Sequence, residues 1–218
     1  MPAQDPTEPF DLVDPDGRPL GASKPRAEVH RDGDWHRSVH LWVVLEGDGE
    51  PAVLLQRRAL GKDTHPGLVD VSVAGHLRAG EEPRDALREA EEEVGLAVRP
   101  EECAPLGLRR VVHTGDGVID REIQHVFLVR TQVRFEALRP APDEVAGLVR
   151  APLAGLRALI ERGEPFTALE RDAAGERVVT LTRGALVPWR DGYPERALAS
   201  IARRLAWEDD AFWRVGWV

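Results

Sequence analysis

Three glutamates stand at helical spacing in the chemically most informative segment, which runs from residue 75 to residue 96. Glu89, Glu92 and Glu93 occupy positions i, i+3 and i+4, so a helix would place their carboxylates on one face, about 5–6 Å apart at Cβ. Like charges this close repel each other. A divalent cation such as Mg²⁺ would relieve the repulsion, because it prefers a few carboxylates together with water and phosphate oxygens. A solvated acidic face is the alternative interpretation of the glutamates alone.

The surroundings of these glutamates favour the metal site over an acidic surface. A glycine loop begins at Gly75, and Gly95 stands where a left-handed residue ends a helix. Between the loops, apolar residues such as Ala90 and Val94 recur at helical spacing. The pattern predicts a helix over 84–94 within a rigid loop–helix–loop.

The same segment resembles the signature of the Nudix hydrolase family, G-x5-E-x7-R-E-U-x-E-E-x-G-U, in which U is aliphatic. The residues that fit are Gly75, Glu81, Arg88, Glu89, Ala90, Glu92, Glu93, Gly95 and Leu96. One residue is missing, because six residues separate Glu81 from Arg88 where the signature has seven. We expect the loop to absorb the loss, so that the helix begins near Pro83 or Arg84 and Glu81 is shifted. The glutamate face should keep its place.

The resemblance implies a role for each polar residue of the site. It implies Mg²⁺ or Mn²⁺ as the cofactor, bound by Glu89, Glu92, Glu93, Glu122 and the backbone carbonyl of Ala74. It implies that these ligands are supported by Glu81 and Arg88. The base that takes the proton of the attacking water is left open among Glu89, Glu92, Glu122 and Glu144.

The sequence around the signature resembles one branch of the family, isopentenyl-diphosphate isomerase and its hydrolase relatives. The resemblance covers roughly residues 30–165, and its motifs lie at 57–62, 65–67, 71–76 and 143–145. It implies that Arg58 and Lys62 bind the phosphates of the substrate, as an arginine fork and an ammonium group can. Exposed loop cations are the alternative. His36 and His76 also match the branch, so metal ligation by these histidines stays open.

Isomerisation of an alkene requires a residue that transfers a proton, and the isomerases use a cysteine directly before the Gly-His pair. This chain has Ala74 at that position, and Cys103 lies beyond the helix. The sequence therefore favours metal-dependent hydrolysis of a diphosphate linkage in a small molecule, such as a nucleoside diphosphate linked to a second group. An isomerase-like enzyme and a non-catalytic Nudix-fold binding module are the alternatives.

The remaining patterns predict the elements that position this site. Periodicity and turn residues predict a hairpin over 10–22, helices over 153–162 and 193–207, and strands over 39–45, 52–56, 68–74, 111–113, 123–129 and 178–182. Mixed strands and helices indicate an α/β (α+β) chain. The resemblance implies a Nudix-like α/β/α sandwich with a mixed sheet and a helical C-terminal extension.

The length of 218 residues suits three regions: a tail and hairpin over 1–30, a catalytic domain over 31–165 and an extension over 166–218 packed on it. Within the first region, residues 1–9 read as a disordered tail. A net charge of −9 disfavours a nucleic-acid polymer as partner. We expect no membrane segment, a cytoplasmic location with Cys103 unpaired, and a small-molecule diphosphate substrate. The C-terminal tryptophans suit a core or a homodimer interface.

Overall fold

A computed structural model of the chain describes residues 5–47, 49–115, 118–189 and 191–206. Its strands are β1 (Pro9–Val13), β2 (Pro19–Pro25), β3 (Trp35–Leu45), β4 (Ala52–Arg58), β5 (Val69–Asp70), β6 (Val73–His76), β7 (Cys103–Gly115), β8 (Val118–Thr131), β9 (Val145–Pro152), β10 (Phe166–Asp172) and β11 (Gly175–Leu181). Its α-helices are α1 (Arg26–Asp32), α2 (Glu89–Val94), α3 (Leu153–Arg162) and α4 (Tyr193–Ala206).

Within the described ranges, β3 to β11 form one mixed sheet whose main path runs β11-β10-β9-β4-β3-β8-β7. β5 pairs with β4, and β6 pairs with β3. The pairing of β3 with β8 is parallel, whereas β3 runs antiparallel to β4 and β6. β3 is buried along almost its whole length, which explains why residues 39–45 form a nearly unbroken apolar run. This strand carries several polar site residues at the centre of the sheet.

Helices cover both faces of the sheet. Ala90 and Val94 of α2 pack with Leu41 and Val43 on one face. On the other face, α3 and α4 pack over Trp42. Side chains alternate between the faces along a strand, so neighbouring residues of β3 belong to different cores. The predicted α/β/α sandwich with a mixed sheet is therefore confirmed, and α3 occupies the predicted residues.

The strand predicted over 68–74 is divided into two. Its first part, β5, pairs with β4, and its second part, β6, pairs with β3, with Ser72 between them. The Ser72 hydroxyl donates to the carbonyl of Leu54 (2.5 Å) and accepts from the N–H of Val43 (2.7 Å). A side chain thus replaces the ladder hydrogen bonds at the crossing. α1, β9 and β10 have no counterpart among the predicted elements, since α1 has only seven residues, β9 contains a glycine and a proline, and β10 mixes charged with apolar residues.

The predicted N-terminal hairpin is confirmed as β1 and β2. The disordered tail predicted over 1–9 is wrong for residues 5–9. The carbonyls of Pro6 and Glu8 accept hydrogen bonds from Ala27 (3.0 Å) and Arg26 (2.8 Å), and these bonds satisfy the first N–H groups of α1.

The C-terminal helix predicted over 193–207 is found as α4. The aromatic residues Phe212, Trp213 and Trp217 lie outside the described residues. In the part of the chain that the structure describes, no helix combines the length and the apolar character needed to span a membrane.

Candidate active site

Glu93 is the most deeply buried carboxylate of α2, with 1% of the residue exposed. Its Oε2 accepts hydrogen bonds from the N–H of Ala74 (3.2 Å) and from Nε2 of Gln56 (3.1 Å). Its Oε1 is buried and has no hydrogen-bond partner. Burial raises the pKa of Glu93 well above its ordinary value, although the charge of Lys62 opposes the shift. A cation would stabilise such an unpaired carboxylate oxygen.

Glu89 lies one turn earlier on α2 and passes directly over Gly75 of β6. A Cβ added at Gly75 would overlap the Glu89 side chain, so this glycine is required for the close approach of strand and helix. Burial raises the pKa of Glu89 to about 7, while the neighbouring Arg88 acts against the shift. The first glycine of the signature therefore makes room for the first glutamate of the helix.

Arg88 connects the carboxylates around the start of α2. Its guanidinium donates hydrogen bonds to Glu81 (2.8 and 3.2 Å), Glu89 (2.5 Å) and Glu92 (3.0 Å). The Glu92 side chain is 48% exposed. Glu81 contacts Arg88 in spite of the missing residue between them. Arg88 thus lies where it can orient the other three side chains.

A 3-10 turn over Asp85–Arg88 precedes α2, in the interval where the signature is one residue short. The helical stretch begins close to the predicted start, since Arg84 is the N-cap of this turn, but its first four residues form a 3-10 helix and the first α-helical residue is Glu89. A 3-10 helix advances about 2.0 Å and about 120° per residue, against about 1.5 Å and about 100° in an α-helix. Four 3-10 residues therefore cover about 8 Å and about 480°, close to the about 7.5 Å and about 500° of five α-helical residues. The tighter turn keeps the glutamates in register.

A second group of potential metal ligands, the histidine cluster, consists of His30, His36, His76 and Asp120. One ligand atom from each residue lies within 4.8 Å of the others. Nε2 of all three histidines and Oδ1 of Asp120 are buried without a hydrogen-bond partner. Unpaired buried polar atoms are rare in native proteins. Imidazole nitrogens with a carboxylate suit a divalent transition metal, so the donor set fits a cation.

Hydrogen bonds fix the proton positions on two histidines of this cluster. Nδ1 of His36 faces the carbonyl of Asp34 (3.2 Å), so it carries the proton and leaves a lone pair on Nε2. Burial lowers the pKa of His76 to about 3, and its Nδ1 accepts from Nη1 of Arg26 (3.1 Å). The proton of His76 therefore lies on Nε2, 3.7 Å from Oε1 of Glu122. Nε2 of His76 can bind a cation only if the proton moves to Nδ1 and Arg26 no longer donates to Nδ1.

The sequence indicates His36, His76 and Glu122 as site residues but not His30 and Asp120. A signal for Asp120 was available, because residues 120 and 122 project from the same face of a strand. Parallel pairing sets Glu122 opposite His36, which brings the carboxylates to the histidines. His30 lies on α1, an element that the sequence patterns do not predict.

The two cations predicted to bind phosphate face the same cavity as the glutamates, and both contact carboxylates. Arg58 is buried and donates to Asp70 (3.1 Å) and to the carbonyl of Thr64 (2.8 Å). Lys62 lies 2.8 Å from Oε2 of Glu144, and its side chain is 8% exposed. A candidate base and a candidate phosphate ligand are therefore in direct contact.

A cavity of about 1260 Å³ joins these groups. Its acidic lining residues include Glu89, Glu92, Asp120, Glu122 and Glu144. Its basic lining residues include Arg26, Arg58, Lys62 and Arg109. Carboxylates beside arginines and a lysine suit a divalent cation together with an anionic small molecule. Glu93 lies next to this lining, where its Oε2 accepts from the N–H of the lining residue Ala74 and its Oε1 has no partner.

Two known proteins are similar to this chain in sequence over most of its length. The chain is 31% identical over 199 residues to an uncharacterised Nudix hydrolase of Clostridium acetobutylicum, covering 88% of this chain and 96% of the relative. It is 35% identical over 185 residues to an isopentenyl-diphosphate Delta-isomerase of Mycolicibacterium vanbaalenii, covering 80% and 97% of the two chains.

A solved structure has the same fold, and a family model matches the sequence. A crystal structure of a Deinococcus radiodurans protein shares the fold, with a TM-score of 0.53 and 22% identity, over 72% of this chain and 91% of that one. The family model described as NUDIX domain matches residues 34–169. The chain therefore belongs to the Nudix hydrolase family.

Proposed function

We propose that this protein is a metal-dependent hydrolase that cleaves a diphosphate linkage in a small molecule, such as a nucleoside diphosphate joined to a second group. One observation carries the proposal: Glu89 and Glu93 are both buried on α2, and burial raises the pKa of each. Two carboxylates buried on one helix face cost free energy unless a cation compensates them. Mg²⁺ or Mn²⁺ would supply that compensation.

The cation would be held by Glu89, Glu92, Glu93, Glu122 and the carbonyl of Ala74. When bound, such an ion neutralises phosphate oxygens and polarises the attacking water. Arg88 and Glu81 would keep the glutamates in position through the hydrogen bonds described above. The unpaired Oε1 of Glu93 is the ligand atom with the strongest support.

The contact between Lys62 and Glu144 supports a role for both residues in the reaction. A substrate phosphate that reaches Lys62 would compete with Glu144 for the ammonium group. The carboxylate would then be free to accept the proton of the attacking water. Substrate binding would thereby release the base. Glu89, Glu92 and Glu122 are the other candidates for this role.

The histidine cluster supports a second cation next to the first. His36 already presents a lone pair, and the unpaired Oδ1 of Asp120 lies within reach of the same ion. Burial lowers the pKa of His30 to about 4, so its imidazole is neutral at physiological pH. Neutral imidazole is the form that binds metals.

An activity like that of isopentenyl-diphosphate isomerase is the second candidate, because a relative at 35% identity carries that name. Ala74 speaks against it, since its methyl group cannot transfer the proton of the isomerisation. A binding module without catalysis is a third candidate. The buried glutamates speak against that function, because a plain binding surface gains nothing from them.

We also propose that the substrate is a small molecule and that the protein is cytoplasmic. The net charge of −9 disfavours binding to a polyanion. A single cysteine, buried Cys103, is typical of a reducing compartment.

A panel assay tests the proposed function. The full chain is incubated with nucleoside diphosphate derivatives, dinucleoside polyphosphates and coenzyme diphosphates, with Mg²⁺ or Mn²⁺ and with a chelator as control. We expect at least one compound to release a phosphomonoester only when the metal is present. Failure to cleave any compound under these conditions would contradict the proposal.

A further inference from the structure

Two donors on neighbouring strands hold one oxygen of Glu122. The hydroxyl of Ser38 on β3 donates to Oε2 (2.5 Å), and Nε2 of Gln124 on β8 donates to the same atom (2.7 Å). The other oxygen, Oε1, lies 3.7 Å from Nε2 of His76. Glu122 therefore presents one defined oxygen to the histidine cluster.

The orientation of the Gln124 amide is fixed from its other side by Arg109. The two residues lie opposite each other on β8 and β7, and Nη1 of Arg109 donates to Oε1 of Gln124 (2.9 Å). A guanidinium only donates and a carboxylate only accepts, so the amide can satisfy Arg109 and Glu122 in a single orientation. Without Arg109 the amide could rotate and turn its oxygen towards Glu122, where two acceptors would repel.

Arg109 is positioned in turn by the segment that leads into α4. Asp191 accepts two hydrogen bonds from its guanidinium (2.7 and 3.1 Å). The ring centroid of Tyr193 lies 4.2 Å from Cζ of Arg109. A two-point carboxylate contact and an aromatic face together fix the direction and the plane of the guanidinium. Residues far along the chain from the signature thus reach the metal ligand Glu122 through two intermediate side chains.

We propose that Arg109 and Gln124 are positioning residues for a cation at the histidine cluster, and that Asp191 and Tyr193 hold Arg109 in place. The inference rests on the proposed function in one respect, since it requires a cation at this cluster. Residues that orient metal ligands typically change metal affinity by about 10–100-fold when they are removed. The C-terminal extension would therefore help to position a ligand of the metal site, since Asp191 and Tyr193 belong to it.

The sign of the effect separates positioning from simple electrostatics. Arg109 carries a positive charge and lines the same cavity as the cluster, so its removal would strengthen cation binding if it acted only through space. A positioning role predicts weaker binding instead, because Gln124 and Glu122 lose their fixed orientation.

Titration of the full chain with Co²⁺, followed by visible absorption with excess Mg²⁺ present, measures binding at imidazole ligands. We expect Arg109→Ala and Gln124→Ala to weaken Co²⁺ binding by about 10–100-fold, and Arg109→Lys to weaken it less. Arg130→Ala is the matched control. It removes an arginine of β8 that donates two hydrogen bonds to Glu46 (2.9 and 2.6 Å) and does not line the cavity. Its Co²⁺ affinity should equal that of the wild type.

Unchanged or tighter Co²⁺ binding in Arg109→Ala and Gln124→Ala would overturn the inference, as would a wild type that binds no Co²⁺. If Arg109→Ala does not fold, Gln124→Ala decides alone, since Arg109 then keeps its contacts with Asp191. Hydrolysis by the wild type with Mg²⁺ tests the proposed function separately. An active enzyme with unchanged Co²⁺ affinity in the variants would overturn only the positioning role.

Discussion

Glu89 passes so closely over Gly75 that a methyl group on the strand would occupy the space of the glutamate side chain. The strand and the helix of the signature are therefore fitted to each other at one point. The N–H of Ala74, the residue before this glycine, also binds Glu93. The strand β6 and the helix α2 therefore form one unit, so a substitution on β6 would displace the carboxylates of α2.

The substitution Gly75→Ala should displace Glu89 and lower metal-dependent turnover by at least about tenfold, the change expected when a metal ligand is disturbed. Turnover and Mg²⁺ affinity are measured together with the melting temperature. Gly184→Ala is the matched control, because an added Cβ there meets only Thr182 at 3.9 Å. Equal turnover in Gly75→Ala and the wild type would show that the close approach does not matter.

The sequence predicts those features that depend on local pattern. The helix over 153–162 and the apolar core of β3 follow from periodicity and burial. The glutamate spacing of α2 is local as well, so the glutamate face could be predicted in advance. The 3-10 turn could not, because a missing residue can be absorbed in a loop or by tighter winding, and both leave the same sequence.

The histidine cluster shows what local pattern does not reveal. Its ligands come from α1, β3, β6 and β8, and the parallel pairing of β3 with β8 joins His36 to Glu122 across more than 80 positions of the chain. The contact between Gln124 and Arg109 depends in the same way on the register of β7 with β8. Such juxtapositions are properties of the sheet topology.

The 3-10 turn predicts different outcomes for two alanine insertions. An alanine inserted after Pro83 restores the signature spacing, so the turn can relax to an α-helix and hydrolysis should persist. An alanine inserted after Glu89 rotates Glu92 and Glu93 by about 100° relative to Glu89 and should abolish hydrolysis and the binding of Mn²⁺ at α2. Isothermal titration with Mn²⁺ and turnover measure both effects. Loss of metal binding in the first variant would contradict the account of the turn.

The raised pKa of Glu89 predicts a pH dependence of stability in the metal-free protein. The ordinary pKa is 4.5, and the folded value is about 7. Between these values the folded state binds more protons at this site than the unfolded state, so the contribution of Glu89 to stability falls as pH rises from about 4.5 to about 7. Denaturant unfolding of the wild type and of Glu89→Gln, at pH 5 and pH 7.5, isolates this contribution. Stability should fall more steeply with pH in the wild type, and equal slopes would contradict the prediction.

The contact between Lys62 and Glu144 predicts a kinetic effect of Lys62→Ala. The variant removes the proposed phosphate ligand, so KM for a diphosphate substrate should rise by at least about tenfold, an effect of the size expected for a lost charge-assisted hydrogen bond. Lys24→Ala is the control, because Lys24 also forms ion pairs but does not line the cavity. Its partners are Asp32 (3.0 Å) and Asp34 (2.5 Å). Steady-state kinetics of both variants decides. An unchanged KM in Lys62→Ala would mean that Lys62 does not bind the substrate and only pairs with Glu144.

The substitution Glu93→Gln tests the central claim most directly, with Glu91→Gln as its control because Glu91 is exposed on the same helix. Phosphorus-31 NMR follows the phosphates of isopentenyl diphosphate and a nucleoside diphosphate derivative in the presence of Mg²⁺, and proton NMR follows the double bond of isopentenyl diphosphate. The wild type and Glu91→Gln should convert the nucleoside derivative to phosphomonoesters, whereas Glu93→Gln should be slower by at least about a hundredfold and a chelator should stop the reaction. Diphosphate cleavage that continues in Glu93→Gln or with the chelator, or isopentenyl diphosphate that is isomerised without loss of phosphate, would contradict the account.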